Sequence, residues 1–424
     1  MLNVVEAFSG IGSQAKALKK LGIDYKVVNI LEWDISAFVA YDFIHNGAPN
    51  ITPYENLTKK ELLDKLVPLN LSIDGKNPVS RNSLNMWRVE ALQVIWAAYN
   101  RTHNLGDIQK VDYLTFPRDV DVLTYSFPCQ DLSIGGAWHN NHSGIDRDAN
   151  NRSGLLWEVE RILESIQENG KELPRFLLME NVSNILSKRH ASNFNDWKNQ
   201  LERLGYFNKV YTLDASNFGS PQRRVRTFMV SVLLPNKDVL PLVEQYFKDN
   251  DLEEISKNKP KKPKKLERLL RMDYSNPIYK EEANISNPND TPSRRKIYEG
   301  NDILNKPTGF NKYLGTLTTK QDRHPNAGIL EFPEHRKGGS PYRNLTPREC
   351  FLLMGFDEAD FNRVLKYNPQ LQKNKKLYSR ERLERLAGNS IVVDVLIKIF
   401  EQINELKFLI YRVLNHFNYQ FLKY

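Results

Sequence analysis

The chain has 424 residues, with 60 Lys and Arg against 51 Asp and Glu, a formal net charge of +9, and 40% hydrophobic and 26% charged residues. That is the composition of a globular protein with enough residues for two or three domains, and it excludes collagen-like and wholly disordered chains. No apolar run reaches the roughly 20 residues of a membrane span, and the N-terminus lacks the basic-then-apolar pattern of a signal peptide. Two cysteines, Cys129 and Cys350, are too few for a disulfide framework or a four-thiolate zinc site. A cytoplasmic location is therefore expected, and no metal. The basic balance is compatible with a polyanionic partner.

In chain order, Val4 to Phe8 reads as a short apolar strand, Ser9-Gly10-Ile11-Gly12-Ser13 as a turn and Gln14 to Leu21 as a helix. Tyr25 to Ile30 is the next strand, ending at Leu31-Glu32-Trp33-Asp34. The stretch 50–104 reads as an insertion with a helix around Leu84 to Tyr99. Asp121 to Tyr125 is a strand running into Ser126-Phe127-Pro128-Cys129-Gln130, and a helix opens at Ser153 and reaches about Gln167. Phe176 to Met179 is a strand running into Glu180-Asn181-Val182. Strands alternating with helices predict an α/β domain built on a parallel sheet. From Ser256 to Arg271 the chain carries eight Lys or Arg and one Glu, and residues 272–310 are rich in Asn, Pro and Lys. Both point to a linker or a loop-rich domain. Helical pattern returns at Thr346 to Met354, where Cys350 lies in an apolar context and reads as core. Ile391 to Tyr424 is a long amphipathic helix with Val395, Leu396, Ile399, Phe400 and Ile403 on one stripe.

Two places carry chemistry. Gly10 and Gly12, between a strand and a helix, let the backbone approach a ligand closely, and the helix N-terminus suits an anionic group. Glu32, some twenty residues on, is where an acidic residue would bind ribose hydroxyls. A tight turn with no ligand is the alternative. A nicotinamide cofactor usually brings a third glycine, where this chain has Ala15. Cys129 follows Pro128 at a strand's carboxyl end, where open α/β sheets bind ligands, and a thiolate there is a ready nucleophile. A small buried hydrophobe is the alternative for any single cysteine.

The company of Cys129 decides between these. Phe8-Ser9-Gly10-Ile11-Gly12, Glu32-Trp33, Gly106-Asp107-Ile108, Phe127-Pro128-Cys129-Gln130, Glu180-Asn181-Val182, Gln222-Arg223-Arg224-Val225-Arg226, Arg343-Asn344-Leu345-Thr346-Pro347-Arg348-Glu349 and Gly388-Asn389-Ser390 follow one another along nearly the whole chain. In that order they resemble the motifs of the DNA (cytosine-5) methyltransferases.

The resemblance implies a Rossmann-like domain that binds S-adenosyl-L-methionine, formed by residues 1–232 and 385–424, with a smaller loop-rich DNA-recognition domain at 233–384. It implies Cys129 as nucleophile at carbon 6 of cytosine, Glu180 as the acid at ring nitrogen 3, and Arg226, supported by Arg224, at the 2-oxo group. Phe8, Gly10, Gly12, Glu32, Trp33, Asp107, Ile108, Pro128, Asn389 and Ser390 are the implied cofactor contacts. Gln130, Ser133, Thr318, Lys320 and Arg323 are the implied contacts to double-stranded DNA, whose target base must be extruded to be reached. The lysine run 257–265 is either a nonspecific phosphate contact or a solvated face. A monomer is the default expectation, and analogy makes the enzyme the modification half of a restriction–modification system, where any cognate nuclease would act separately. An RNA substrate, a regulator without catalysis and an oxidoreductase are the competing readings. The intact Cys129, Glu180 and Arg226 and the large basic region weigh against them.

Overall fold

The computed structural model describes residues 1–128, 145 and 152–421. Its centre is a six-stranded sheet of β1 (Leu2–Ala7), β2 (Tyr25–Leu31), β3 (Val122–Tyr125), β4 (Phe176–Val182), β5 (Tyr206–Asp214) and β6 (Val225–Leu233), in the spatial order β2-β1-β3-β4-β6-β5. The first four strands in that order are parallel, whereas β6 runs antiparallel to both β4 and β5. The sheet is mixed, which corrects the expected all-parallel one. The chain returns from β5 through the short turn 215–224, and a connection that short can only reverse direction.

Around the sheet lie α1 (Ser13–Leu21), α2 (Ile35–Asn46), α3 (Lys59–Leu66), α4 (Arg81–Asn85), α5 (Val89–Arg101), α6 (Leu156–Glu168), α7 (Ala191–Arg203), α8 (Leu240–Asp249), α9 (Leu252–Asn258), α10 (Pro277–Ile285), α11 (Pro292–Glu299), α12 (Pro347–Leu353), α13 (Glu358–Lys366), α14 (Arg380–Asn389) and α15 (Val393–Phe421). Both faces of the sheet are covered, so the central strands read as nearly continuous apolar runs. On one face Val4, Leu178, Phe228 and Val230 join a core with Leu18 of α1, Phe38 and Phe43 of α2, and Leu396, Ile399 and Phe400 of α15. On the other, Val5, Leu123, Leu177 and Met229 pack with Ile162 and Leu163 of α6 and Phe194 and Trp197 of α7.

The helix expected from Leu84 to Tyr99 is broken in two. Trp87 turns into the core between α4 and α5, and the amide of Arg88, which caps α5, donates to the Leu371 carbonyl at 2.8 Å. Residues 233–384 reach the core of the sheet at several points. Val243 and Phe247 of α8 and Leu252 of α9 share the core of the sheet, as do Phe351 and Leu353 of α12 and Phe361 and Val364 of α13. Lys16 of α1, itself buried, pairs with Asp360 of α13 at 2.6 Å. Between α9 and α12, the stretch 259–345 is loop-rich, with α10 and α11 inside it, and Leu304, Leu317 and Leu330 join the same core. Its junction with α12 is a buried ion pair in which Arg343 forks onto Glu349 with two 2.8 Å bonds. Glu349 also closes the capping box of Thr346 and accepts the Arg271 amide.

Candidate active site

The glycine turn joins β1 to α1 with three residues in the left-handed region: Phe8 (φ 55°), Gly10 (φ 55°) and Gly12 (φ 79°). Gly12 is required twice over, since a Cβ there would also meet the Tyr41 ring at 2.6 Å. At Gly10 a Cβ would meet nothing within 4 Å, so that side of the turn is open. Gly12 caps α1 without a side-chain bond, and Ser9 Oγ is buried with no hydrogen-bond partner among the described residues. Glu32, at the end of β2, accepts the Gly10 amide at 2.9 Å on one oxygen and the Asp34 amide at 2.9 Å on the other. Burial, reinforced by Asp34, pushes its carboxyl up to about 7. Asn104 fixes this strand end: it accepts the amides of Glu32 (3.0 Å) and Gly106 (2.9 Å) and donates to the Glu32 carbonyl (2.8 Å). Asp107, which follows this anchor, caps the turn at 108–110 through the Gln109 amide. Ile108 is buried and Trp33 half-buried.

The second cluster lies at the carboxyl ends of β3 and β4. Glu180 faces Arg226 on antiparallel β6, with Arg226 Nε 3.4 Å from its carboxylate. Burial raises the Glu180 carboxyl above the ordinary range, and Arg226 and then Arg224 pull it back without cancelling the rise. The adjacent Asn181 points to the other side of β4 and donates to the Phe127 carbonyl at 3.1 Å, tying the segment before Pro128 to β4. Cys129, Gln130 and Ser133 lie outside the described residues.

A third group of contacts holds the loop-rich part against the sheet. Arg224, expected beside Arg226 in catalysis, commits its guanidinium to backbone: it donates to the carbonyls of Leu317 (2.9 Å), Gly388 (2.9 Å) and Ser390 (3.1 Å). Gln222, fully buried, accepts the Leu317 amide at 2.9 Å. Thr318 turns its hydroxyl inward, 3.0 Å from the carbonyls of both Lys320 and His324, whereas Lys320 and Arg323 are exposed. Asn389 is exposed at the end of α14, and Ser390 donates to the Leu386 carbonyl at 2.8 Å. The Ile391 amide donates to Ser13 Oγ at 3.3 Å, which brings this end of α14 to the start of α1.

Comparison with known proteins gives these clusters a common context. The model of the C-5 cytosine-specific DNA methylase family matches residues 68–405. The chain belongs to that family. DNA (cytosine-5-)-methyltransferases of bacterial origin are similar along their whole length. The orphan methyltransferase M.SssI of Spiroplasma monobiae is 34% identical over 418 residues, 95% of this chain and 97% of the relative. The type II methyltransferase M2.ScrFI of Lactococcus lactis subsp. cremoris is 33% identical over 408 residues, 95% and 99% of the two chains. In fold, the crystal structure of S. pombe Dnmt2 methyltransferase superposes with a TM-score of 0.57 at 18% identity, covering 96% of this chain and 99% of that one.

The family uses S-adenosyl-L-methionine as methyl donor. The turn fits such a group: an open glycine side, an uncapped helix start, an unpartnered Ser9 hydroxyl and a buried carboxylate meet at one sheet edge. Sequence reading missed Asn104, which belongs to no quoted motif, and gave Asn181 and Gly388 no role although both stand inside quoted ones. It also missed Arg385, which donates to Asp34 (2.8 Å) and to the carbonyls of Ile73 (3.2 Å) and Asp74 (2.9 Å), joining α14 to the end of β2. Nothing in the linear sequence pairs positions so far apart.

Proposed function

We propose that this methyltransferase transfers a methyl group from S-adenosyl-L-methionine to carbon 5 of a cytosine extruded from a short, specific duplex DNA sequence. The supporting observation is the Glu180–Arg226 pair, largely shielded at the sheet edge, with the Phe127 carbonyl just before the Pro128-Cys129 motif tied to the neighbouring Asn181. The Rossmann-like catalytic part comprises 1–232 and 385–424, extended by the helices of 240–258 and 347–366 that share its core, and the loop-rich remainder is the recognition part.

The methyl donor supplies an electrophilic methyl group. Phe8, Gly10, Gly12, Glu32, Trp33, Asp107, Ile108, Pro128, Asn389 and Ser390 are the residues to hold it. Cys129 Sγ attacks carbon 6 of the cytosine, forming the S–C6 bond and breaking the ring's conjugation, so that carbon 5 becomes enamine-like. Glu180, whose carboxyl burial raises above the ordinary carboxylate range, is the acid that donates to ring nitrogen 3 as charge develops there. Arg226 stabilises the 2-oxo group. Once carbon 5 is methylated, loss of its proton returns an electron pair to the ring and expels the Cys129 thiolate. Gln130, Ser133, Thr318, Lys320 and Arg323 are proposed on the DNA side, Thr318 through its backbone.

The two full-length relatives divide between an orphan and a type II enzyme. We assign the chain to the modification half of a restriction–modification pair, a role that requires extracts of the source cells to cleave the unmethylated site. Expression in a host without cytosine methylation, followed by bisulfite sequencing, tests the reaction. Protected cytosines within one short sequence, absent with Cys129→Ser, are expected. Uniform conversion in both, with methyl incorporation into tRNA instead, would overturn the DNA assignment.

A further inference from the structure

The turn between β5 and β6 lies at the same sheet edge as Glu180 and Arg226, and it carries two strands of basic chain, one on each side. On one side the amides of Lys261 and Lys264 donate to the carbonyls of Asn217 (2.8 Å) and Gly219 (2.9 Å), and Phe218 and Lys261 form a parallel bridge. On the other, the Arg223 amide donates to the Leu314 carbonyl (3.0 Å) and Thr316 Oγ1 donates to the Arg223 carbonyl (2.7 Å). The lysine run is thus fixed along the β5–β6 turn by backbone bonds. A solvated linker would have no need of them.

What the two strands expose is one-signed. Lys261, Lys262 and Lys265 are exposed, while Lys264 is neutralised by Asp394 at 2.7 Å. Glu267 is the one acid between positions 257 and 268. Across the turn, Arg223 and Lys312, both exposed, lie against the same Tyr313 ring, each 5.1 Å from its centroid. Cations held close together by backbone register repel one another until an anion of matching spacing neutralises them, and a polyphosphate chain does so continuously.

We propose that Lys261, Lys262 and Lys265 on one side of this turn, with Arg223 and Lys312 on the other, form a sequence-independent track for the phosphate backbone of the duplex flanking the target base. The proposal rests on the duplex DNA substrate argued above. It adds that binding strength is supplied beside the catalytic pair by groups that read no base.

The test is fluorescence anisotropy of the full chain with a duplex containing its target and with an unrelated duplex, between about 50 and 200 mM salt. The wild type is compared with Lys261→Gln/Lys262→Gln/Lys265→Gln, and methylation by the wild type is followed alongside. Three lost phosphate contacts flatten the slope of log K against log salt by about 2.7 on both duplexes, leaving their affinity ratio unchanged. Arginine at the same three positions restores the slope. A wild-type slope in the glutamine variant, with methylation by the wild type intact, overturns the track alone, as does a loss confined to the target duplex. A wild type that binds and methylates neither duplex overturns the DNA reading and the track together. Tighter binding of tRNA, with the lysines carrying its salt slope, overturns the assignment to duplex DNA.

Discussion

Gly388→Ala sets two physical effects of opposite sign against each other. Gly388 lies within α14, where replacing glycine by alanine ordinarily stabilises a helix by about 1 kcal/mol. Here the added Cβ would sit 2.5 Å from the Thr318 carbonyl oxygen and 2.6 Å from its carbon. These are backbone atoms, so no side chain can swing away, and overpacking of this kind costs about 1–3 kcal/mol. Separating the two segments would not relieve it cheaply. One guanidinium, that of Arg224, holds Leu317 O and Gly388 O at 2.9 Å each, and moving either lengthens a buried charge-assisted bond worth about 1.5–3 kcal/mol. The net expectation is a loss of up to about 2 kcal/mol in urea unfolding, the difference of those contributions. Thr318, Lys320 and Arg323 move with the displaced segment. KM for DNA therefore rises several-fold, more than the Kd for S-adenosyl-L-homocysteine changes. A variant as stable as the wild type, or stabilised by the helix-propensity amount, with unchanged KM for DNA, would refute the close-packing argument.

Glu180→Gln keeps the shape of the side chain and removes its proton. It lowers kcat by about 10²–10⁴-fold, the range for general acid–base groups, and abolishes the alkaline limb on which the wild type loses rate as Glu180 ionises above the ordinary carboxylate range. Wild-type kcat in this variant would remove Glu180 from the chemistry. Glu6, fully buried beneath the glycine turn and facing Tyr41, is pushed up to about 8 by burial from the ordinary 4.5. The folded state thus holds a proton that the unfolded state releases, so this contribution is complete below about pH 4.5 and is lost as pH rises to about 8. Glu6→Gln should gain stability relative to the wild type between pH 5.5 and 8.5 in paired urea titrations, and a constant difference would contradict the sign. Arg385→Ala weakens S-adenosyl-L-homocysteine binding by about tenfold, equivalent to about 1.4 kcal/mol. Lysine at that position rescues it only partly, because an ammonium cannot fork onto Asp34 and two carbonyls at once. Unchanged calorimetric affinity in the alanine variant would separate Arg385 from the cofactor side.

The legible parts of the fold were those dictated by local sequence. Phe176–Met179 is apolar on both faces because helices cover both sides of the sheet there, and β4 and the edge strand Tyr25–Leu31 are both found within three residues of where the pattern sets them. The stripe of Val395, Leu396, Ile399, Phe400 and Ile403 is the buried face of α15. The illegible parts depended on partners far away. Whether β6 runs parallel or antiparallel is decided by its pairing with β4 and by the length of the turn before it. Leu84 to Tyr99 has helical periodicity throughout, yet it breaks because Trp87 finds the core and the Arg88 amide finds Leu371 O.

At the site, motifs show which residue types are present and leave open which of them react. Arg224 and Arg226 are two positions apart, so on a regular strand their side chains would leave the same face. Arg226 is inside β6 and meets Glu180, whereas Arg224 precedes the strand and turns to three carbonyls of the loop and of α14. The same division runs through the other motifs. In Glu180-Asn181-Val182 alternation sends Glu180 to Arg226 and Asn181 to the Phe127 carbonyl, so one residue of the pair is free for chemistry because the next one holds the neighbouring loop. In Arg343-Asn344-Leu345-Thr346-Pro347-Arg348-Glu349 both ends of the motif close on each other as a buried ion pair, and neither has a donor or acceptor left to offer a ligand. A carboxylate or guanidinium within such a motif is thus a candidate for chemistry only where the backbone leaves it unclaimed. Along this sheet edge that criterion favours Glu180, and Arg226 spends only Nη1 on a carbonyl, that of Val225, whereas Arg224 is held by three carbonyls and Arg343 and Glu349 by each other.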